Sequence, residues 1–145
     1  MLFKYIDSLP QPPKLNPQSA EPTENDWPNP LYKIFYCEDS VYTWCQQTFS
    51  DYDPTVNTFM YQYLEDGVPR HVDVERTYCY NYIIDPGGPA VRTRWWQGNE
   101  CIEDTVLQAG RWHRLDVSVE HSIEGITGKR VAVTVFQGIP KQMDI

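Results

Sequence analysis

Residues 121–136 have the sequence HSIEGITGKRVAVTVF, and this stretch decides how the rest of the chain is interpreted. It predicts a strand on each side of a turn at 125–128, joined as a hairpin. In that register Ile123 lies opposite Arg130. Because residues two apart on a strand share a face, His121 and Arg130 become diagonal neighbours that point into one pocket.

The final predicted strand, 130–136, alternates between two kinds of surface. One face, on the pocket side, leaves space for a bound molecule and carries Ala132, Thr134 and Phe136. The other face is β-branched and carries Val131, Val133 and Val135. Such an apolar face must be covered, either by the N-terminal part of the chain or by a second subunit, and the second choice makes a homodimer.

From residue 55 to residue 136, β-branched and aromatic runs are punctuated by Gly, Pro and Asp, which is typical of short strands joined by turns. Eight short strands suit a jelly roll, the double-stranded β-helix in which two facing sheets enclose a pocket. We therefore predict a mainly all-β fold. The predicted strands are 55–64, 70–73, 77–84, 91–96, 102–107, 111–119, 121–124 and 130–136.

The beginning of the chain has a different composition. Residues 1–30 contain seven of the 12 prolines, which exclude a helix or a central strand, so we predict an extended arm. A strand at 32–36 and a short helix at 40–49, capped by Ser40, are predicted to follow. Because 145 residues leave room for one core, the whole chain is assigned to a single domain.

The charge excludes one class of partner. Twelve Lys and Arg against 20 Asp and Glu give a formal charge of −8, which repels phosphate backbones, so nucleic acid is not expected as a partner. No stretch is apolar enough to span a membrane, and the first residues lack the pattern of a secretory signal. These observations predict a cytoplasmic protein without a membrane partner.

The cysteines match no short zinc spacing, and without a secretory signal they are interpreted as buried thiols. A disulfide is the alternative, which an oxidising compartment would favour. The cysteines are Cys37, Cys45, Cys79 and Cys101.

His71 and Asp73 lie two residues apart at the end of a predicted strand, so they share a face where both could bind one metal ion. Alone, such a pair is better explained as a solvated strand end. His121, aimed into the same pocket beside Arg130, reverses that preference. We therefore predict a metal site formed by these two histidines and the aspartate. His113, on the apolar side of its strand, is a reserve ligand that is better explained as a core histidine.

In order and spacing these residues resemble a known family. The motif His-Val-Asp at 71–73, His121 after it and Arg130 nine residues later are similar to the Fe(II)- and 2-oxoglutarate-dependent oxygenases, especially their prolyl-hydroxylase-like branch. Residues 76–82 resemble the strand that follows the His-x-Asp motif in that branch. The resemblance covers approximately residues 61–136, about half of the chain.

The resemblance implies which residues hold the cofactors. His71, Asp73 and His121 would bind Fe(II) as the two-histidine, one-carboxylate triad. Arg130 would hold the distal carboxylate of 2-oxoglutarate in a two-pronged, charge-assisted pair. Aromatic hydroxyls often help to bind this cosubstrate, and the candidates for that role are Tyr63 and Tyr82. Ascorbate is a candidate accessory cofactor.

The implied reaction is the hydroxylation of an unidentified substrate by O2, coupled to conversion of 2-oxoglutarate to succinate and carbon dioxide. Two alternatives remain open. One is a cupin-like metalloprotein that uses the same shell with His113 and without 2-oxoglutarate. The other is a jelly-roll interaction or structural module without catalytic turnover.

Overall fold

A computed structural model describes residues 1–17, 32–73 and 76–138. This part of the chain contains ten strands and one helix, α1 (Asp39–Tyr52). No helix within it is long and apolar enough to cross a membrane. The strands are β1 (Phe3–Tyr5), β2 (Tyr32–Tyr36), β3 (Thr58–Leu64), β4 (Val68–His71), β5 (Tyr78–Asp85), β6 (Arg92–Gln97), β7 (Glu100–Thr105), β8 (Trp112–Asp116), β9 (His121–Glu124) and β10 (Arg130–Phe136).

The strands form two antiparallel sheets. The larger sheet has six strands in the order β1, β8, β5, β10, β3, β2, and the smaller has four in the order β4, β9, β6, β7. From β3 onward the chain crosses repeatedly between the two sheets, and only the β6–β7 hairpin keeps two successive strands of this region in one sheet. This winding defines the double-stranded β-helix, so the predicted jelly roll is confirmed.

β9 and β10 lie in different sheets, so the predicted hairpin between them, with Ile123 opposite Arg130, is wrong. The backbone N–H groups of Thr127 and Gly128 donate to the carbonyl of Gly87 at 2.9 and 2.8 Å. The connection between the two strands therefore packs on another turn instead of pairing with itself. It crosses from one sheet to the other.

The alternation predicted for β10 is confirmed. Ala132 and Phe136 are buried between the two sheets, in the same cluster as Trp95 of β6. Val133 and Val135 are buried on the opposite, outer face of the larger sheet. The sequence pattern therefore identified correctly which residues of the last strand share a face.

The outer face of the larger sheet is covered by the chain itself. Val41 and Phe49 of α1 pack there, as do Ile6 and Leu9 of the N-terminal segment. A second subunit is not needed to cover this face, so the uncovered surface that suggested a homodimer is accounted for within one chain.

Helix α1 begins one residue before the predicted start and ends three residues after the predicted end. Its N-cap is Glu38, which makes no side-chain capping hydrogen bond, so the prediction of Ser40 as the cap is wrong. The helix is held instead by its buried face, formed by Val41, Cys45 and Phe49.

The N-terminal segment contains β1, which the prediction of an extended arm over residues 1–30 missed. It pairs with β8 from Phe3 opposite Leu115 to Tyr5 opposite His113. The rest of the predicted arm, from residue 18 onward, lies outside the described residues.

All four cysteines are free thiols, and no disulfide forms. The prediction of buried thiols is confirmed for Cys37, Cys45 and Cys79. It is wrong for Cys101, which is exposed on β7, the edge strand of the smaller sheet.

Candidate metal centre

Two paired strands of the smaller sheet position the histidines. His71, the last residue of β4, lies directly opposite His121, the first residue of β9. Their ring centroids are 4.3 Å apart, and both side chains are buried between the sheets. Asp73 follows β4 and is fixed by its backbone N–H, which donates to the carbonyl of Val117 at 2.9 Å. The structure therefore brings together the three predicted metal ligands.

The ligand atoms converge on one point. Nε2 of His71 lies 3.2 Å from Oδ1 of Asp73, and Nε2 of His121 lies 3.8 Å from the same oxygen. One ligand atom from each residue can be chosen so that all three lie within 4.8 Å of one another. Two nitrogens and one carboxylate oxygen at such separations could bind a single divalent ion.

Backbone carbonyls orient both imidazoles. Nδ1 of His71 lies 2.8 Å from the carbonyl oxygen of Pro69, and Nδ1 of His121 lies 2.7 Å from that of Val119. A carbonyl oxygen can only accept, so each Nδ1 carries the proton and each Nε2 of a neutral ring carries a lone pair. Three acceptor atoms then face one another, an arrangement that needs a proton or a metal cation between them.

The charge states suit a cation. Burial opposes ionisation of Asp73, but a hydrogen bond from Nε2 of His71, which forms when a proton lies between the two side chains, and the positive charges nearby hold the pKa of its carboxyl below the usual value. Burial, reinforced by the neighbouring His71, lowers the pKa of His121. At neutral pH the aspartate is therefore ionised and His121 is neutral, which are the forms that bind metals.

The centre opens into a cavity between the two sheets. Most of the exposed surface of its wall is apolar, and several polar side chains also face the interior. The described apolar lining residues are Ile34, Leu64, Val68, Leu115, Val117, Ile123 and Phe136. The polar ones, apart from the three ligands, are Gln62, Arg76, Cys79, Asn81, Thr93 and Thr134. Such a mainly apolar cavity with a few convergent polar groups is typical of small-molecule sites.

Arg130 begins β10 on its inner face, with Leu64 of the cavity wall as its cross-strand neighbour. Its side chain is not itself among the lining residues. Nε donates to the carbonyl of Pro86 at 2.9 Å, while Nη2 is buried and has no hydrogen-bond partner in the described part of the chain. Burial lowers the pKa of the guanidinium to about 10, so it is still a cation at neutral pH.

The two predicted cosubstrate tyrosines lie on the wrong face of the larger sheet. Both pack in the outer cluster, away from the cavity. The Tyr63 hydroxyl donates to the carbonyl of Pro17 at 2.6 Å, and the Tyr82 hydroxyl donates to Gln11 at 2.8 Å. The structure therefore does not bring these tyrosines to the metal centre.

His113 is buried in β8 and makes an edge contact with the ring of Tyr5, with 6.3 Å between ring centroids. Burial lowers its pKa to about 4. It does not belong to the ligand cluster, which among the described residues consists of His71, Asp73 and His121. These positions favour the interpretation of His113 as a core histidine over that of a reserve ligand.

Arg76, which lines the cavity with the three candidate ligands, was not predicted from the sequence. Its guanidinium carbon lies 4.2 Å from the ring centroid of Phe136. Asn81 and Cys79, which also line the cavity, were not predicted as site residues either. The alternation along β5 could have found these two, because both share a face with the buried Ile83.

Comparisons with known proteins support the fold. No protein-family model matches the sequence, and no curated protein is significantly similar to it. The structure is similar to that of oxalate decarboxylase from Bacillus subtilis, which has Mn(II) centres, with a TM-score of 0.51 at 15% identity over 88% of this chain and 30% of that chain. It is also similar to ycfD of Escherichia coli, described as a ribosomal oxygenase, with a TM-score of 0.50 at 12% identity over 76% of this chain and 34% of that chain.

The chain thus spans about a third of the length of these two proteins. At such low identity the likeness shows a shared jelly-roll fold and no more, since one fold serves many activities. The chemistry must be argued from the residues of the site.

Proposed function

We propose that this protein is an Fe(II)- and 2-oxoglutarate-dependent dioxygenase that hydroxylates an unidentified substrate and releases succinate and carbon dioxide. The observation that carries the proposal is a pairing of two features on the inner side of the jelly roll. One is the cluster of His71, Asp73 and His121, and the other is the buried cation of Arg130.

The cluster supports Fe(II) through its donor set. Two imidazole nitrogens and one carboxylate oxygen would hold Fe(II), and they are the donor set of the non-haem Fe(II) oxygenases. His71 and His121 are already oriented by the carbonyls of Pro69 and Val119, so little reorganisation is needed on binding. Bound iron would supply the activation of O2 that hydroxylation of a C–H bond requires.

Arg130 supports 2-oxoglutarate as the cosubstrate. It is 4% exposed and makes no salt bridge with any described acidic residue, although a buried cation without a counter-ion is costly. Desolvation is the cause of its lowered pKa. A ligand carboxylate that reached the unpartnered Nη2 would provide the missing charge, and the distal carboxylate of 2-oxoglutarate is the group that we propose for this role.

The chain's other residues would exclude water and orient the reactants. Leu64, Val117 and Ile123 form part of the apolar wall, which strengthens electrostatic interactions inside the cavity. Gln62 and Asn81 offer neutral amides that can donate to or accept from a bound molecule. We extend the proposal to the prolyl-hydroxylase-like branch, to accessory use of ascorbate and to a cytoplasmic location. The order of the sequence motifs supports the first of these.

A cupin-like metalloprotein without 2-oxoglutarate is the second candidate function. One observation favours it. The side chain of Arg130 is not among the described lining residues of the cavity, and its Nε is already bound to the carbonyl of Pro86. In that case Arg130 would be a structural residue, and its removal would not affect binding of 2-oxoglutarate.

Calorimetric titration of 2-oxoglutarate into the Mn(II)-loaded protein without O2 separates the two candidates. Arg130→Leu should weaken binding by more than about tenfold, because loss of a buried charge partner costs roughly 2 to 5 kcal/mol. Arg130→Lys should fall between, since an ammonium keeps the charge but loses the two-pronged geometry. Mn(II) affinity should be unchanged in both variants.

A matched control is Arg114→Leu. This arginine stacks on the ring of Tyr78, 4.2 Å from its centroid, and is not a lining residue of the cavity. Equal 2-oxoglutarate affinities in wild type, Arg114→Leu and Arg130→Leu would reject the oxygenase in favour of the cupin-like protein. A second readout is turnover, because the Fe(II)-loaded protein should slowly form succinate from 2-oxoglutarate and O2 without added substrate.

A further inference from the structure

Two carboxamide side chains line the cavity on the larger sheet. Gln62 of β3 lies opposite Ala132 of β10. Asn81 of β5 lies opposite Thr134, two residues further along β10. Because β10 lies between β3 and β5, the two amides flank it on either side. In an ideal sheet this register places their Cα atoms roughly 12 Å apart, a gap that the two side chains and a small bound molecule can span.

Neither amide is satisfied by another described residue. The side chain of Gln62 makes no hydrogen bond within the described part of the chain. Asn81 has one weak contact, in which Sγ of Cys79 lies 3.7 Å from Oδ1, and a thiol is a poor donor. Each carboxamide offers two N–H donors and one acceptor oxygen. Unused donors and acceptors therefore face the cavity on both sides of β10.

A third neutral polar group lines the cavity on the smaller sheet. Thr93 of β6 is 1% exposed, and its Oγ1 has no hydrogen-bond partner among the described residues. A buried hydroxyl without a partner is costly, so a polar atom beside it would stabilise the site. These neutral groups indicate that the cavity holds a polar molecule, although most of its wall is apolar.

The surroundings of the two amides favour a neutral ligand group over an ionised one. Gln62 and Asn81 carry no charge, and Ile34, the cross-strand neighbour of Gln62 on β2, is apolar. An ionised group bound between the two amides would be desolvated without a counter-ion beside it. A carboxamide avoids this cost, because its carbonyl accepts from one protein amide and its N–H donates to the other.

We propose that Gln62 and Asn81 bind a neutral carboxamide of the substrate, so that the hydroxylated compound is an amide. This inference rests on the proposed function and names its substrate class. The two residues line the same cavity as the candidate metal ligands, so the carboxamide would be held on the side where the reaction occurs. The apolar wall, which includes Leu115 and Val117, would hold the carbon chain that carries the reacting C–H bond.

The test uses three probes of similar shape. They are butyramide, its anionic counterpart butyrate, and 2-pentanone, in which a methyl group replaces the amide NH2. Each is titrated into the protein loaded with Mn(II) and 2-oxoglutarate without O2, and paramagnetic broadening of the probe's proton resonances reports binding near the metal. Butyramide should bind saturably and at least about fivefold more tightly than either counterpart, because 2-pentanone lacks the donor and butyrate buries a charge.

Variants of the two residues assign this selectivity to the amide pair. Gln62→Leu and Asn81→Leu keep a similar volume and remove the hydrogen bonds. Each should weaken butyramide binding at least about fivefold and 2-pentanone binding less than about twofold, so that the preference for the amide disappears. Damage to the packing would instead weaken both probes alike. Retained Mn(II) binding shows that each variant is folded.

A matched control is Gln97→Leu. Gln97 ends β6, is exposed and does not line the cavity, so this variant loses a carboxamide outside the site. It should bind all three probes as wild type does.

Three results would overturn the inference. The first is butyramide binding that is absent from wild type, no tighter than that of 2-pentanone, or unchanged in either leucine variant. The second is tighter binding of butyrate, which would assign substrate recognition to a charge. The third is a loss of 2-oxoglutarate affinity in the leucine variants as large as that in Arg130→Leu, which would assign the pair to the cosubstrate.

Failure of the proposed function gives a different result. In that case wild type binds Mn(II) but not 2-oxoglutarate. The titrations of butyramide and 2-pentanone with Mn(II) alone then still test Gln62 and Asn81.

Discussion

The two faces of the larger sheet are formed by the same strands but differ in how their polar groups are satisfied. On the outer face, the Tyr61 hydroxyl donates to Glu38 at 2.5 Å and the Tyr80 hydroxyl donates to Asp53 at 2.7 Å. On the inner face, Nη2 of Arg130 has no hydrogen-bond partner among the described residues. Trp112, whose Nε1 also lacks a described partner, is an exception on the outer side.

The two faces also differ in how closely their side chains pack, and the outer face is packed more closely. Outside, the ring of Phe49 lies 5.3 Å from those of Tyr80 and Trp112 and 6.3 Å from that of Phe59, measured between centroids. Inside, part of the space is a cavity with His71, Asp73 and His121 on its wall. Since unfilled space and unpartnered polar groups both cost stability, the outer face contributes more to the stability of the fold. On the proposed function, the inner face gives up some of this stability for binding.

Among the substitutions that test this comparison, removal of one of the candidate metal ligands on the inner side should have the largest effect, on Mn(II) binding. His71→Ala or His121→Ala should abolish saturable Mn(II) binding, because a two-ligand site cannot hold the ion against water. His113→Ala is the matched control, since it also removes a buried histidine but one outside the ligand cluster, and it should keep the site. Calorimetry measures both. Loss of binding in His113→Ala alone would show that the ligands are wrongly assigned.

Removal of an aromatic ring from the outer face should lower the stability of the fold and leave Mn(II) binding unchanged. Phe49→Ala leaves a cavity among rings that are in contact, and we expect the free energy of unfolding to fall by about 3 to 5 kcal/mol. The molecules that remain folded should bind Mn(II) with unchanged affinity. Urea denaturation and calorimetry give the two values. A folded variant that has lost its metal affinity would show that the two faces are not separable.

His113 should make the stability of the fold sensitive to acid. Its pKa is about 4 in the folded protein and about 6.5 when unfolded, so between these values the unfolded state binds more protons. Stability is therefore lost as the pH falls from about 6.5 to about 4, by on the order of 3 kcal/mol from this residue. His113→Gln should reduce the pH dependence of urea unfolding in that window. An unchanged slope would contradict the burial of a neutral imidazole.

Much of the fold followed from local pattern. The ends of β9 and β10 agree with those predicted, because alternation along a strand is a property of the strand itself. The pairing of these strands was predicted incorrectly. A glycine-rich connection can close a hairpin or cross between two sheets, and the choice here depends on the distant carbonyl of Gly87, which accepts from Thr127 and Gly128.

The candidate site was predictable to a similar extent. That His71, Asp73 and His121 lie together could be predicted because their order and spacing suggest a metal triad even when the strand pairing is wrong. Tyr63 and Tyr82 were candidates from the resemblance, and the sequence does not show that they lie outside, because alternation shows which residues share a face and not which face is inside. Both faces of β3 are apolar, with Met60 on the inner side and Tyr61 on the outer, since this sheet is covered on both sides.

The smallest effects are expected from substitutions of two adjacent residues of β5 that point to opposite faces of the sheet. Asn81 lines the cavity, while the hydroxyl of Tyr82 donates to Gln11 in an exposed hydrogen bond. Tyr82→Phe should leave 2-oxoglutarate affinity within about twofold and lower the free energy of unfolding by about 1 kcal/mol or less. Asn81→Phe, one position away, should narrow the cavity and weaken binding several-fold. Calorimetric titration of both Mn(II)-loaded variants measures the contrast, and a large loss in Tyr82→Phe with none in Asn81→Phe would reverse the assignment of the two faces.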